Sequence, residues 1–369
     1  MTNINNTIQE LMDAALYEAH VQEQLPGISA IITHRQEIVW SKSYGYTNLG
    51  TKKEADSDTI YHIGSVTKIF TAIMLMQLRD RGKLQLDDPL DKFLPELKKV
   101  SLPSITLRHL ASHTSGLPLM PPLEELSRGM QEFPPSMETL RNMTFPTIRQ
   151  IIDSMSQVSL VSPLGEQVTY SNLGISLLAH AMEHAAEQEY VNYVESRILR
   201  PLGMNQTGFS STIMHAANKA TCYLPFSSPP QEAPFETKMI GGFTPTGALW
   251  SSANDMAQFL AFLTSSQEND LRSILSQSSL QEMVQMIAPL ESSRYTGAKM
   301  PGGVGVGWFL SQIQNHLLAE HGGADPSTAA YIAWLPQLDL AAFIATNTGK
   351  NPTAVASTMS TLLDLTIQD

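Results

Sequence analysis

The chain has 369 residues, 42% of them hydrophobic and 16% charged, so it can bury a large core and is not intrinsically disordered. Its 35 acidic side chains outnumber its 23 Lys and Arg, and this net charge of −12 argues against nucleic acid or an anionic membrane surface as a main partner. The one cysteine, Cys222, excludes an intrachain disulfide scaffold and a thiolate cluster for zinc.

The start of the chain lacks the basic and apolar regions of a secretory signal. Its first charged residues, Glu10 and Asp13, are acidic. No uninterrupted apolar run approaches the ~20 residues that a membrane-spanning helix needs. We therefore expect a cytoplasmic protein that does not enter the membrane.

The first part of the chain predicts a helix, a hairpin and a second helix. Apolar residues recur at helical spacing over residues 8–22. Two extended runs, 28–33 and 37–46, are joined by three polar residues, which is typical of a β-hairpin. From Ser65 the pattern predicts a helix that is apolar on nearly every side and ends before Gly82. Such a helix belongs at the centre of a fold.

The rest of the chain predicts helices and then strands. Residues 86–224 are mostly helix and loop pattern, with a stretch rich in Pro and Met at 117–146. Helical patterns follow at 253–263 and 271–286. The remaining elements are extended runs at 304–312, 317–321, 329–334 and 340–346 and a final helix from about 353 to 365.

This order of elements predicts an α+β fold. Short loops between the late strands favour antiparallel pairing. Both chain ends would then build one antiparallel sheet flanked by helices, with a mostly helical subdomain inserted between them. The expected sheet subdomain is residues 1–85 and 225–369, the helical subdomain is 86–224, and the active site lies between them.

Ser65 and Lys68 form the only S-x-x-K pattern in the chain, at the start of the buried helix. Residues three apart share one helix face, so the lysine amine lies beside the serine hydroxyl. The helix N-terminus adds N–H groups that stabilise negative charge. Burial against Ile69 and Phe70 would lower the lysine pKa, so that the amine could accept a proton. Taken alone, the pattern is more typical of a capping serine and a surface lysine.

Two further groups of residues are each weak signals. Tyr170 and Asn172 lie in a predicted loop before an apolar helix, where a phenol can shuttle a proton and an amide can orient a lysine and a substrate carbonyl. The third group is His321, Gly322, Gly323 and Ala324 at the end of a predicted strand. Its glycines let a ligand approach the backbone, so the N–H of Ala324 could donate to an oxyanion, although a polar turn is the commoner reason for such a tetrapeptide.

In this order and spacing, the three groups resemble the serine β-lactamase-like superfamily of active-site serine hydrolases. The resemblance is to the branch that contains class C β-lactamases, D-aminopeptidases and family-eight esterases, and it covers roughly residues 27–348. Besides the three groups, it is carried by segments 62–68, 82–89, 106–117, 201–204, 247–255 and 305–308.

The resemblance implies that Ser65 is the acylated nucleophile, Lys68 its activating partner and Tyr170 a proton shuttle. Which of Lys68 and Tyr170 is the base stays open even for relatives. The resemblance also implies that Asn172 orients Lys68 and the substrate. The N–H groups of Ser65 and Ala324 would form the oxyanion hole. No metal or organic cofactor is implied.

One departure from the β-lactamase pattern concerns the third motif. β-Lactamases carry Lys-Thr-Gly there, whereas His321 and Gly322 occupy the first two positions here. A permanent cation and a hydroxyl that could hold a penicillin carboxylate are therefore missing, and a mostly neutral histidine holds an anion poorly. This favours a neutral small-molecule ester or amide as the substrate.

We therefore expect a carboxylesterase-like serine hydrolase acting on small or medium acyl esters. The alternatives are a D-amino-acid peptidase or amidase, a weak β-lactamase, an acyltransferase or thioesterase of a biosynthetic pathway, and an acylating sensor without turnover. The absence of a secretory signal counts against a role in cell-wall metabolism. The acyl group, the leaving group and the oligomeric state stay open.

Two other patterns bear on function. His109 and His113 have the i, i+4 spacing of metal ligands, but their segment is not H-E-x-x-H, and no metal site is expected. The methionines of segment 117–146 (Met120, Met130, Met137 and Met143) are hypothesised to line an acyl-chain pocket with flexible thioethers.

Overall fold

The computed structural model describes most of the chain. The described residues are 4–123, 137–142, 144–209, 213, 215–226, 228–234, 241–265, 270–291, 294–295 and 302–368. Met130 and Met143 of the hypothesised acyl-chain pocket lie outside them.

A nine-stranded antiparallel sheet built from both chain ends dominates the fold, in the order β3-β2-β1-β14-β13-β12-β11-β10-β9. Its strands are β1 (Gly27–His34), β2 (Glu37–Asn48), β3 (Lys53–Glu54), β9 (Ala288–Leu290), β10 (Gly302–Val304), β11 (Phe309–Ile313), β12 (His316–Asp325), β13 (Thr328–Leu335) and β14 (Leu340–Thr346). A three-stranded sheet contains β4 (Ile60–His62), β8 (Leu249–Ser252) and β5 (Gly208–Phe209), and β6 (Tyr223–Leu224) pairs with β7 (Gln231–Glu232).

Helices cover both faces of the large sheet. The helices are α1 (Asn6–Gln22), α2 (Thr67–Asp80), α3 (Leu107–Ala111), α4 (Met137–Asn142), α5 (Ile148–Ser154), α6 (Asn172–Ala186), α7 (Tyr190–Val194), α8 (Thr244–Gly247), α9 (Ala253–Thr264), α10 (Gln277–Met283) and α11 (Pro352–Gln368). Helices α1 and α11 pack on one face, and α2 and α9 lie in the core of the other. Because strand residues alternate between faces, Ile31, Phe343 and Ile332 meet in register towards α2, while Ile32 and Ile344 point to α1 and α11.

Helix α2 is the central element that the sequence predicts. All its residues from Thr67 to Leu78 are buried, and a single 3₁₀ turn, Gly64–Val66, leads into it. Its contacts with α6, α7 and α8 join the sheet to the helical part of the chain. None of the helices among the described residues is long and apolar enough to cross a membrane.

Two predicted elements differ from the structure. The run at 304–312 is a hairpin rather than one strand, because the chain turns at Gly305–Trp308 and β10 pairs with β11. Gly307 makes this turn possible, since its φ is +77° and a Cβ there would collide with Ala72. One helix is predicted at 271–286, but the structure has a 3₁₀ turn, Asp270–Ser273, followed by the shorter helix α10.

The predicted division at residues 86–224 stays a prediction. That segment holds α3 to α7, but it also supplies β5 to the three-stranded sheet, whose other strands lie outside it. The Ser65 turn follows β4 and the third motif is part of β12.

Candidate active site

Ser65 sits at the junction between β4 and α2. Gly64 before it has φ of +50°, which turns the chain sharply out of the strand. The hydroxyl of Thr67 donates to the carbonyl of Gly64 and accepts from the N–H of Leu249, which fixes the turn against β8. The serine side chain is partly exposed at the mouth of a cavity, whereas α2 behind it is buried.

Lys68 lies one helical turn after Ser65, as the S-x-x-K spacing predicts. Its Nζ donates to the Ser65 Oγ at 2.9 Å and to the carbonyl oxygen of Thr246 at 2.5 Å. The side chain is 1% exposed. Burial, helped by the charge of Arg294, lowers the pKa of Lys68 well below its ordinary value. Burial thus makes the neutral amine easier to reach than in a solvated lysine, and in that form it can take the proton of Ser65.

Tyr170 lies on the other side of the lysine amine. Its ring centroid is 5.0 Å from Lys68 Nζ, and the ring of His113 packs against it at 4.5 Å. Burial raises the pKa of Tyr170 to about 12, although the Ser65 side chain and Arg294 oppose this rise. The phenol therefore keeps its proton at neutral pH and can serve as a proton donor.

His113 supports Tyr170. The residue is buried with a φ of +57°, and its Nδ1 accepts a hydrogen bond from the N–H of Ser171. Burial lowers its pKa well below the ordinary value, so the ring is neutral. His109 instead takes part in the N-terminal cap of α3. Across the described residues, no group of three or more His, Cys, Asp or Glu is placed to hold a metal ion.

Asn172 begins α6 near these groups. Its Nδ2 lies 3.9 Å from the sulfur of Met120, and its Oδ1 is buried without a hydrogen-bond partner in the described part of the chain. The hydrogen bonds of Lys68 among described residues go to Ser65 and Thr246. The orienting role of Asn172 towards Lys68 therefore stays a prediction, and its free carbonyl is an acceptor facing inward.

His321 lies on β12, paired with Ile332 of β13. Its Nδ1 is 2.8 Å from the carbonyl oxygen of Gly322 and 3.3 Å from the hydroxyl of Tyr295. Burial lowers the pKa of His321 to about 3, with the charges of Lys68 and Arg294 adding to the effect. The third motif therefore presents a neutral imidazole at neutral pH.

The glycines of the third motif allow β12 to touch the nucleophile turn. A Cβ on Gly323 would collide with the carbonyl of Ile63 and lie 3.0 Å from the N atom of Ser65. A Cβ on Gly64 would lie 3.0 Å from the N atom of Ala324. The structure thus brings the backbone nitrogens of Ser65 and Ala324 to the same place, where two N–H groups can face one oxyanion.

Arg294 and Tyr295 also belong to this site, although the sequence analysis missed them. They line a cavity of about 230 Å³ together with Ser65, Tyr170 and the N-terminal end of α11. The guanidinium carbon of Arg294 is 4.3 Å from the ring centroid of Tyr170. A Cβ on Gly322 would collide with the ring of Tyr295. These two residues follow no motif, so only the folded chain reveals them.

A larger cavity, about 910 Å³, lies beside α6 and α8. It is lined by residues such as His180, Glu183 and Tyr190 and includes none of the site residues named above. Volume alone does not mark the reactive site. The smaller cavity is the candidate because Ser65 opens into it.

Comparison with known proteins decides the family. The family model described as Beta-lactamase matches residues 4–364. The chain belongs to the beta-lactamase family. The resemblance seen in the sequence is thereby confirmed, and so is the beta-lactamase-like fold. The octameric penicillin-binding protein homologue from Pyrococcus abyssi superposes with a TM-score of 0.79 at 26% identity, covering 96% of this chain and 77% of that one.

Two further relatives are similar to this chain in sequence. "Beta-lactamase-like protein 2" of Dictyostelium discoideum is 34% identical over 269 residues, 71% of this chain but 46% of that protein. The chain thus matches less than half the length of that relative. The D-alanyl-D-alanine-carboxypeptidase/endopeptidase AmpH of Escherichia coli (strain K12) is 27% identical over 330 residues, 86% of this chain and 78% of AmpH.

Proposed function

We propose that this member of the beta-lactamase family is a serine hydrolase that forms an acyl-enzyme on Ser65, and that its substrates are small or medium acyl esters. The observation that carries the proposal is the 2.9 Å hydrogen bond between Lys68 Nζ and Ser65 Oγ. A buried lysine with a lowered pKa, held against a serine hydroxyl, is an activated nucleophile pair.

The proposed acylation begins with proton transfer from Ser65 to the neutral amine of Lys68. The serine oxygen attacks the ester carbonyl, and the N–H groups of Ser65 and Ala324 stabilise the oxyanion. As the bond to the leaving alcohol breaks, Tyr170 protonates the departing oxygen and is reprotonated from the Lys68 ammonium. Water then attacks the acyl-enzyme, and Tyr170 and Lys68 pass the protons in the reverse direction. The acid is released and Ser65 is restored.

A neutral ester suits the groups around the cavity. The cavity volume of about 230 Å³ favours a small acyl group, and the cavity walls include the rings of Tyr170 and Tyr295. The imidazole of His321 is uncharged, so the third motif offers no cation to a carboxylate.

The test is hydrolysis of p-nitrophenyl acetate, butyrate and octanoate beside a chromogenic cephalosporin. We expect turnover of the short esters that disappears in Ser65→Ala. The control is Ser176→Ala, because Ser176 is a buried serine outside the Ser65 cavity and its hydroxyl lacks a hydrogen-bond partner among the described residues. Activity that survives in Ser65→Ala would refute the proposal. A stable acyl adduct in the intact mass without product release would indicate an acylating sensor instead.

Arg294 favours a second candidate, cleavage of an amide or ester that carries a free carboxylate. Its exposed guanidinium shares the cavity with Ser65, and it has no ion pair with any carboxylate that the structure describes. The carboxypeptidase AmpH, whose name specifies D-alanyl-D-alanine, supports the same class of substrate.

The second candidate is tested with matched substrates, one with a terminal carboxylate and one with its methyl ester. If Arg294 binds the carboxylate, Arg294→Gln lowers kcat/KM for the acidic substrate by about 10-fold or more and leaves the neutral one nearly unchanged. Arg149→Gln is the control, since Arg149 is an exposed arginine on α5. Equal effects on both substrates would reject this candidate.

A further inference from the structure

His62 and Asp325 form an ion pair beside the active site that the proposed mechanism does not use. The Nδ1 of His62 lies 2.9 Å from Oδ2 of Asp325, and its Nε2 lies 2.6 Å from the carbonyl oxygen of Gly247. The histidine side chain is only 3% exposed, so water is largely excluded from both contacts.

The groups around Asp325 favour its carboxylate form. Burial opposes ionisation of Asp325, but His62 and the N–H and hydroxyl of Ser327 outweigh it and hold the pKa of Asp325 below its ordinary value. The carboxylate can then only accept, and so can the carbonyl of Gly247. The two ring nitrogens of His62 therefore lie 2.9 Å and 2.6 Å from acceptor oxygens, one on Asp325 and one on Gly247.

The ion pair joins the two segments that supply the predicted oxyanion hole. His62 ends β4, three residues before Ser65, and Asp325 ends β12, directly after Ala324. Between these ends, the segments touch through backbone atoms at Gly323, because a side chain there would collide with the nucleophile turn. Backbone contact without side chains resists sliding poorly, whereas a buried charge pair fixes the spacing.

The second ring nitrogen extends the connection to the lysine. Gly247, which accepts from His62 Nε2, directly follows Thr246, whose carbonyl accepts from Lys68 Nζ. The single ring of His62 thus contacts the segments that hold the nucleophile, the lysine partner and the oxyanion donor. The hydroxyl of Thr328 also donates to the carbonyl of His62 at 2.6 Å, which ties β13 to the same point.

We propose that His62 and Asp325 are positioning residues that hold the N–H groups of Ser65 and Ala324 at the spacing an oxyanion requires. This inference rests on the proposed acyl-enzyme chemistry at Ser65. It assigns the pair no contact with the substrate, so its effect must appear in the stabilisation of the oxyanion.

The test compares each ester with its thionoester, in which sulfur replaces the carbonyl oxygen. Sulfur accepts N–H hydrogen bonds poorly, so a well-formed oxyanion hole favours the oxygen substrate. The ratio of the two kcat/KM values is independent of how much of a variant is folded. We expect Asp325→Asn to lower kcat/KM for the oxygen ester by about 100-fold. The oxygen-to-sulfur ratio should fall about 10-fold or more.

Three further variants strengthen this test. His62→Asn should lower the ratio as Asp325→Asn does, and the double variant should be little worse than either single one, because the two residues act through each other. Ser327→Ala leaves the ion pair in place and should lower the ratio less, which provides a milder variant if the others do not fold. Asp255→Asn is the control, because Asp255 is also a buried carboxylate that accepts from backbone, near Gln206 and Thr207 rather than Ser65.

The outcomes separate this inference from the proposed function. If the native chain forms no acyl-enzyme on Ser65, the proposed function fails. If the native chain turns over esters and Asp325→Asn keeps the native oxygen-to-sulfur ratio, the positioning role alone is wrong. A fall in the ratio of the Asp255→Asn control as large as that of Asp325→Asn would also overturn it.

Discussion

Two basic side chains of the candidate active site lie in opposite conditions. Lys68 is 1% exposed, and burial lowers its pKa well below the ordinary value. Arg294 is exposed, lies over the ring of Tyr170 and has no carboxylate partner in the described part of the chain. Burial thus disfavours a charge on the Lys68 amine, whereas the guanidinium of Arg294 keeps its charge.

The difference matters because the two side chains respond differently to burial. A lysine gives up its proton when desolvated and becomes a base, whereas an arginine stays charged and can only bind anions or aromatic rings. The proposed function therefore gives proton transfer to Lys68, and its second candidate gives Arg294 the binding of a substrate carboxylate. Because the imidazole of His321 is neutral, its charge contributes neither to proton transfer nor to substrate binding.

The largest effect is expected from Lys68→Arg, which keeps a cation beside Ser65 but cannot accept its proton. We expect kcat/KM for p-nitrophenyl butyrate to fall by about 10³- to 10⁴-fold, the usual contribution of a general base. The same loss of kcat/KM is expected for Lys68→Met. Activity of Lys68→Arg within tenfold of the native chain would show that charge, not proton transfer, is the role of this residue.

Tyr170→Phe should have the next largest effect, and its size should depend on the leaving group. Because the pKa of Tyr170 is raised to about 12, the phenol is a proton donor at neutral pH. Loss of that donor should lower kcat/KM of alkyl esters by about 10²-fold or more. p-Nitrophenyl esters should be affected less, since p-nitrophenolate leaves without a proton. Equal losses for both esters would argue for a structural role.

Gly323→Ala should act by steric separation of β12 from the nucleophile turn. The added Cβ would collide with Ile63, and overpacking of this kind costs about 1–3 kcal/mol of unfolding free energy. Thermal unfolding should show this loss, and ester turnover per folded protein should fall by about 10-fold or more as the two N–H groups move apart. Gly50→Ala is the control, because a Cβ there meets only the end of the Asn48 side chain. A native-like rate in Gly323→Ala would contradict the close approach.

Much of the fold follows from local pattern. The antiparallel sheet built from both chain ends and helix α2 are predictable because apolar periodicity and short loops leave few alternatives. The hairpin of β10 and β11 was not predicted, because its turn depends on Gly307 lying against Ala72 of α2, a contact distant in sequence. The periodicity of apolar residues cannot distinguish one long strand from two short strands that are joined by a turn at a buried glycine.

The site is predictable only where its residues follow motifs. Ser65 lies in the 3₁₀ turn that leads into α2 and Lys68 lies in the first turn of α2, so their spacing carries the geometry. Arg294 and Asp325 are brought to the site by tertiary packing, and no local pattern marks them. His113 lies in segment 106–117, which carries the resemblance, but its contact with Tyr170 comes from tertiary packing. The direction of the Lys68 pKa was foreseeable from its apolar neighbours, but the contribution of Arg294 to it was not.

The smallest expected effect is a coupling between the two cations. The acidic limb of the pH profile of kcat/KM reports deprotonation of the free enzyme's base, which the proposed function takes to be Lys68. Arg294 lowers the pKa of Lys68 by charge repulsion, so Arg294→Gln should raise that pKa and move the limb to higher pH, whereas Arg294→Lys should move it less. Profiles for a neutral ester at low and high salt measure this, with Arg149→Gln as the control.

The salt dependence of the acidic limb tests whether the coupling between Arg294 and Lys68 is electrostatic. Salt screens the exposed guanidinium, so the limb of the native chain should itself move to higher pH as salt rises, and the gap to Arg294→Gln should narrow. Burial is the larger cause of the lowered Lys68 pKa, so the limb of Arg294→Gln should still lie well below the ordinary lysine range. A limb that Arg294→Gln leaves in place would mean that the two cations are independent, with proton transfer set by burial alone.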